Sequence, residues 1–72
     1  MERGRLHRAF GRRVRELRHK RGYTQERLAE KSGLHVTYLG GIERGTRNPS
    51  LASIGRLAKA FRVPLAELFQ GV

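Results

Sequence analysis

The residues of this chain whose types and spacing can do chemistry lie in one stretch, Thr24–Gly45, TQERLAEKSGLHVTYLGGIERG. The chemistry is hydrogen bonding and charge neutralisation, not bond making. Ser32, Ser50 and Ser53 sit where turns and helix caps use a hydroxyl, with no activating base or paired carboxylates in sight. His7, His19 and His35 lack ligand spacing and have no cysteine to join them, so no metal site and no cofactor are expected. A Gly-rich phosphate loop is also missing. The chain does not read as an enzyme. It reads instead as two short helices joined by a tight turn, the second opening with side chains that could enter a DNA groove.

Three features of spacing carry that reading. Ala29 is small where two helices must approach, and a larger side chain would push them apart. Gly33, four residues on, permits the positive φ of a sharp turn. Leu39 and Ile42 then pin the second helix to a core and leave its other side free. Ordinary helical hairpins use the same spacing, so it does not by itself single out a helix-turn-helix.

The elements that must hold this pair are also helical. Leu6, Phe10, Val14 and Leu17 form an apolar stripe on a first helix, with Arg12, Arg13 and Arg15 largely off it. His19-Lys20-Arg21 followed by Gly22 suits a helix C-terminus. Thr24 is an N-cap for a second helix, Gln25–Lys31, and the third runs from about Val36 to Glu43, ended by Gly45. After a loop, Thr46-Arg47-Asn48-Pro49, Ser50 caps a fourth helix that should bury Leu51, Ile54, Leu57, Ala58 and Phe61. Pro64 opens a last short helix with Leu65, Leu68 and Phe69. The expected fold class is all-α, a compact five-helix bundle in one domain, residues 1–72, with the helix-turn-helix at 24–45. Residues 1–8 are a basic extension that either lengthens the first helix or forms an arm or frayed end.

Composition narrows the partners. Lys+Arg number 16 against 6 Asp+Glu, a net charge of +10, and Met1–Arg21 alone holds nine of the cations and two of the acids. Such a footprint fits polyanions through phosphate neutralisation and counterion release. Charge alone fits a membrane-surface helix or a ribosomal protein equally well, and an arginine excess of 13 to 3 over lysine also reflects base composition. No apolar run approaches the roughly 18–20 residues of a membrane span, and no signal peptide opens the chain, so the cytoplasm is the expected location.

From Phe10 to Phe69 the chain resembles the phage-repressor/Cro-type helix-turn-helix family. FGRRVRELRHKRGYTQERLAEKSGL is similar to its first two helices and YLGGIERGTRNPSLASIGRLAKAFRVPLAELF to the rest. Gln25, Ala29, Gly33, Leu39 and Ile42 each match a motif position. Within the family, SGLHVTYLGGIERGTRNPSL most resembles small stand-alone regulators, including controller proteins of restriction–modification systems.

The resemblance implies double-stranded DNA as partner and assigns roles. Gln25 contacts backbone or an adjacent base edge. Of the expected exposed positions His35, Val36, Thr37, Tyr38 and Gly41, it makes Val36 and Thr37 the main base readers. Val36 offers only apolar contact, to a thymine methyl, whereas Thr37 adds a hydroxyl. Gly41 stands where a polar reader is common; Gly40–Gly41 serves either close approach to DNA or packing against a neighbouring helix. With few readers, DNA shape and bending should carry much of the specificity. Phosphate contacts are expected from Thr24, Tyr38, Arg44, Arg47 and Asn48. Arg18 and Glu43 match a structural pair joining the first and third helices.

So small a domain with few base contacts should bind as a symmetric homodimer on a pseudo-palindrome. Residues 63–70 are the expected dimerisation helix, through Val63, Pro64, Leu65, Leu68 and Phe69, unless these merely seal the bundle. No small-molecule ligand or membrane partner is implied. The function expected is a sequence-specific transcriptional regulator. The alternative is a protein-interaction module on the same fold, of antitoxin or coactivator type.

Overall fold

Phe10, Val14 and Leu17 recur every three or four residues, and the helix they call for is α1, Arg5–Lys20. The computed structural model describes residues 4–72. It continues with α2 Gln25–Ser32, α3 Val36–Arg44, α4 Leu51–Phe61 and α5 Leu65–Leu68, and no strand is present among the described residues. Two of the helix starts obey the capping logic of their sequence. The Thr24 side chain accepts from the Arg27 N–H at 3.0 Å, and the Ser50 side chain accepts from the Ser53 N–H at 3.0 Å. Gly33 and Gly45 end α2 and α3 in the left-handed region, at φ 72° and 78°.

The inward faces meet in a single core. Phe10, Val14 and Leu17 of α1 pack with Leu28 of α2, Leu39 and Ile42 of α3, Leu57 and Phe61 of α4, and Leu68 of α5. Each such side chain contributes about 1.5–3 kcal/mol on burial, little enough that the polar ties between helices count as well. Where α1 crosses α3, Gly11 is buried against the α3 backbone. A Cβ there would lie 2.6 Å from the Glu43 carbonyl oxygen and closer still to that of Ile42. The crossing therefore depends on hydrogen at Gly11.

Two apolar residues expected in the core are not in it. Leu6 is 53% exposed and Leu51 79% exposed. Each lies in the first turn of its helix, so the stripe it belongs to runs past the end of the core. The basic extension divides as well. Gly4 stands just before α1 and Arg5–Arg8 form its first turns, which lengthens the helix; Met1–Arg3 lie outside the described residues.

Part of the positive charge is used inside the fold. Arg13 donates to the Glu67 carbonyl at 2.7 Å and Arg21 to the Phe61 carbonyl at 2.9 Å, satisfying oxygens at the ends of α5 and α4. From the sequence, Arg13 falls largely off the apolar stripe and Arg21 belongs to the basic last turn of the first helix, and neither position announces these partners. Among the described residues no helix is long and apolar enough to cross a membrane.

Candidate nucleic-acid interface

Glu43 is the only acid between Glu30 and Glu67, and the fold turns it inward. It accepts from Arg18 Nε at 2.7 Å, Arg18 Nη2 at 3.2 Å and Gln25 Nε2 at 3.1 Å. Three donors on one buried carboxylate leave the outward side of α3 without negative charge. The pair Arg18–Glu43 thus stands as a tie between α1 and α3. Gln25 gives one amide N–H to it and keeps a second N–H and its oxygen for another partner.

The start of α3 is set by a residue with no assigned role. His35 Nδ1 accepts from the Thr37 N–H at 3.1 Å, capping the helix. An acceptor at Nδ1 puts the proton of the neutral ring on Nε2. Histidine is outside the preferred set of N-cap residues, so composition carries no signal for this role. Thr37 follows, exposed, while Val36 is half-buried against the core. Thr24 has its oxygen engaged in capping α2, and its hydroxyl proton stays free to donate.

Two expected positions are corrected. Gly41 is not an exposed reader but is buried, covered by the aliphatic stem of Arg47. The Gly40–Gly41 pair divides in the same way: Gly40 lies under the tip of Arg44 with the Gln25 side chain of α2 about 4.0 Å away, whereas the close backbone approach of two helices is at Gly11. Tyr38 is half-buried, and its hydroxyl is committed to the start of α4. It donates to Ser53 Oγ at 3.2 Å and accepts from the Ser50 N–H at 3.3 Å. When the phenol ionises, the Ser53 hydroxyl can turn to donate to it, and this hydrogen bond is the main cause that lowers the Tyr38 pKa below the ordinary tyrosine value. Partial burial opposes the shift, and Ser50 and the Arg47 charge add to it. A phenol so held braces the loop between α3 and α4 more readily than it reaches a phosphate.

Arg44, Arg47 and Asn48 are all exposed around that loop, and neither arginine side chain makes a hydrogen bond or ion pair among the described residues. Thr37, Gly41 and Arg44 lie at helical spacings of four and three, on one face of α3. Gln25 is about 4.0 Å from the position a Cβ would take on Gly40, so the start of α2 borders the same face. Donors and unpaired cations are gathered there around a floor with no bulk.

The C-terminal group separates into two sets. Leu68 is in the core, not at a surface, and Val63 is half-buried against it. Pro64 is exposed, Leu65 is 49% exposed and Phe69 38% exposed, with the Phe69 ring stacked on Phe10 at 5.0 Å between centroids. Leu6 and Phe69 border one shallow cleft with Ile54 and Pro49.

The helix-turn-helix family profile matches residues 14–68. A control protein of Bacillus amyloliquefaciens, C.BamHI, is 47% identical over 60 residues, covering 82% of this chain and 74% of that protein. The crystal structure of the controller protein C.AhdI from Aeromonas hydrophila superposes with a TM-score of 0.85 at 51% identity, covering 88% of this chain and 96% of that one. A second controller, C.Esp1396I, solved as a tetramer in complex with its natural 35-base-pair operator, superposes at 0.84 with 35% identity, over 92% of this chain and 87% of that one. This chain belongs to the Cro/C1-type helix-turn-helix family of DNA-binding transcriptional regulators, close to the restriction–modification controller proteins.

Proposed function

We propose that the chain acts in the cytoplasm as a homodimer on a pseudo-palindromic operator, with α3 of each copy in the major groove. The observation that carries this is the inward turn of Glu43, which frees the α3 face for phosphate-lined DNA while Thr37 and the unpaired Arg44 and Arg47 stand on or beside it. Thr37 reads a base through hydroxyl and methyl, and Val36 supplies what apolar contact its half-buried side chain can reach. Gln25 uses its remaining N–H or oxygen on the same edge. Thr24, Arg44, Arg47 and Asn48 set the register on phosphates. So few readers leave DNA shape a large part of the discrimination.

Size supports the dimer. The folded chain measures 33 × 24 × 21 Å, so one copy spans about one helical turn of DNA, roughly 34 Å, and two copies are needed to read two half-sites. The exposed apolar side chains Leu6, Leu51, Leu65 and Phe69 supply the material for the dimer contact. The C.Esp1396I tetramer on its operator is a related case of several copies on one duplex.

Selection of random duplexes by the purified protein, with affinity followed against salt, tests the proposal. A two-fold motif with half-sites about one turn apart is expected. Salt-sensitive binding without any motif would defeat it and favour a protein partner for the same face.

A further inference from the structure

Gly41 has no backbone reason to be glycine. It lies inside α3 and is not among the positive-φ residues, so any residue could take its conformation. Glycine is the poorest choice for a helix interior after proline. What the position lacks is room. A Cβ on Gly41 would run into Cγ of Arg47 and sit 3.4 Å from its Cβ and 3.5 Å from its Cδ. These atoms are the stem of the side chain, which cannot move aside without a new rotamer or a shift of the loop.

The loop is fastened to the same residue. The Gly41 carbonyl accepts from the Thr46 N–H at 2.9 Å, the Arg47 N–H at 3.3 Å and the Thr46 hydroxyl at 3.2 Å. Main chain and side chain of Arg47 are therefore both placed by Gly41. Other glycines mark the contrast. A Cβ on Gly40 would meet the tip of Arg44 at 3.2 Å and the end of Gln25 at 4.0 Å, both flexible side-chain ends, and one on Gly55 would meet nothing within 4 Å.

We propose that Gly41 is a positioning residue for DNA binding: its missing side chain seats the Arg47 stem across α3 and holds the guanidinium in place for a DNA phosphate before the duplex arrives. An arginine has many rotamers to lose on binding, and a side chain already seated loses fewer of them. The inference rests on the reading of Arg47 as a phosphate contact given above.

The test is a double-mutant cycle in the full chain: Gly41→Ala, Arg47→Ala and the two together, with Gly55→Ala, in open space on α4, as the control. The probe is the duplex recovered by selection with the wild type. Gly41→Ala should weaken binding about tenfold and flatten the salt dependence by about one phosphate contact, as Arg47→Ala does. In the Arg47→Ala background it should change neither. The control should bind like the parent. Equal losses with and without Arg47, or no loss, would overturn the inference while leaving the DNA reading in place. If the wild type selects no duplex, both fall together. If Gly41→Ala fails to fold while the double variant folds, the stem is the obstacle and the seat is supported. If neither folds, Gly41 serves some other contact and the inference is lost.

Discussion

Arg18 Nε donates to Glu43 at 2.7 Å and Nη2 donates at 3.2 Å, so residues 25 positions apart join α1 to α3 through a bidentate ion pair largely out of water. The third Arg18 nitrogen donates to the Tyr23 carbonyl at 2.9 Å, which draws in the turn before α2 as well. One pair thereby sets the angle of α3 and the approach of α2. Glu43→Ala leaves the guanidinium buried without its partner and should lower stability by about 3–5 kcal/mol, a large share of a small domain's total. Urea unfolding of both single variants and of the double checks this. The double should lose clearly less than the sum, and an additive result would contradict the coupling.

Gly11→Ala sets two effects of opposite sign against each other. Helix propensity favours alanine by about 1 kcal/mol. The new methyl would meet backbone atoms of Ile42 and Glu43, which no rotamer change can relieve, and overpacking of that kind costs about 1–3 kcal/mol or more. The clash should win, with a lowered melting temperature. Gly55→Ala, in open space on α4, should raise it.

Tyr38→Phe strips the Ser50 N–H of an acceptor and Ser53 of a donor, and should cost about 1–2 kcal/mol near neutral pH. The effect should also depend on pH. Because the folded pKa of Tyr38 is lowered, the native state releases the phenol proton more readily than the unfolded chain does. The resulting stabilisation is fully present above the unfolded value of about 10 and is lost as pH falls through the lowered folded value. The stability gap between wild type and Tyr38→Phe should accordingly widen as pH rises from neutrality towards the unfolded value of about 10. A constant gap over that range would refute the assignment.

Thr37→Ala and Arg47→Ala should weaken DNA binding in different ways. Loss of Thr37 should relax preference at one base position, by about 1–3 kcal/mol of discrimination. Loss of Arg47 should weaken all duplexes alike and reduce the salt slope by about one. Binding profiles over a panel of single-base operator variants separate the two.

Leu65→Glu places a charge on an exposed apolar residue outside the core. Equilibrium sedimentation should show the chain shifted to monomer with its helical circular dichroism intact. A variant that remains dimeric would move the interface away from α5.

Local signals determined the helices. Thr24 and Ser50 are capping residues by chemistry, Gly33 and Gly45 turn residues by backbone freedom, and the Phe10–Val14–Leu17 stripe has a helical period. Each depends on neighbours within a few positions, which is why the order and type of the elements could be read in advance. The inward pairing of Glu43 with Arg18 was legible only because a family pattern marks both positions. Tertiary structure alone decided which side chains of a regular stripe found a partner. Leu68 sealed the core while Leu65, three residues earlier, stayed exposed, and Leu6 and Leu51 were left largely in solvent. It also decided that Gly11 marks the crossing of α1 with α3 and that Gly41 lies under Arg47. A glycine carries no chemistry of its own, so its meaning comes entirely from the atoms that the fold brings against it.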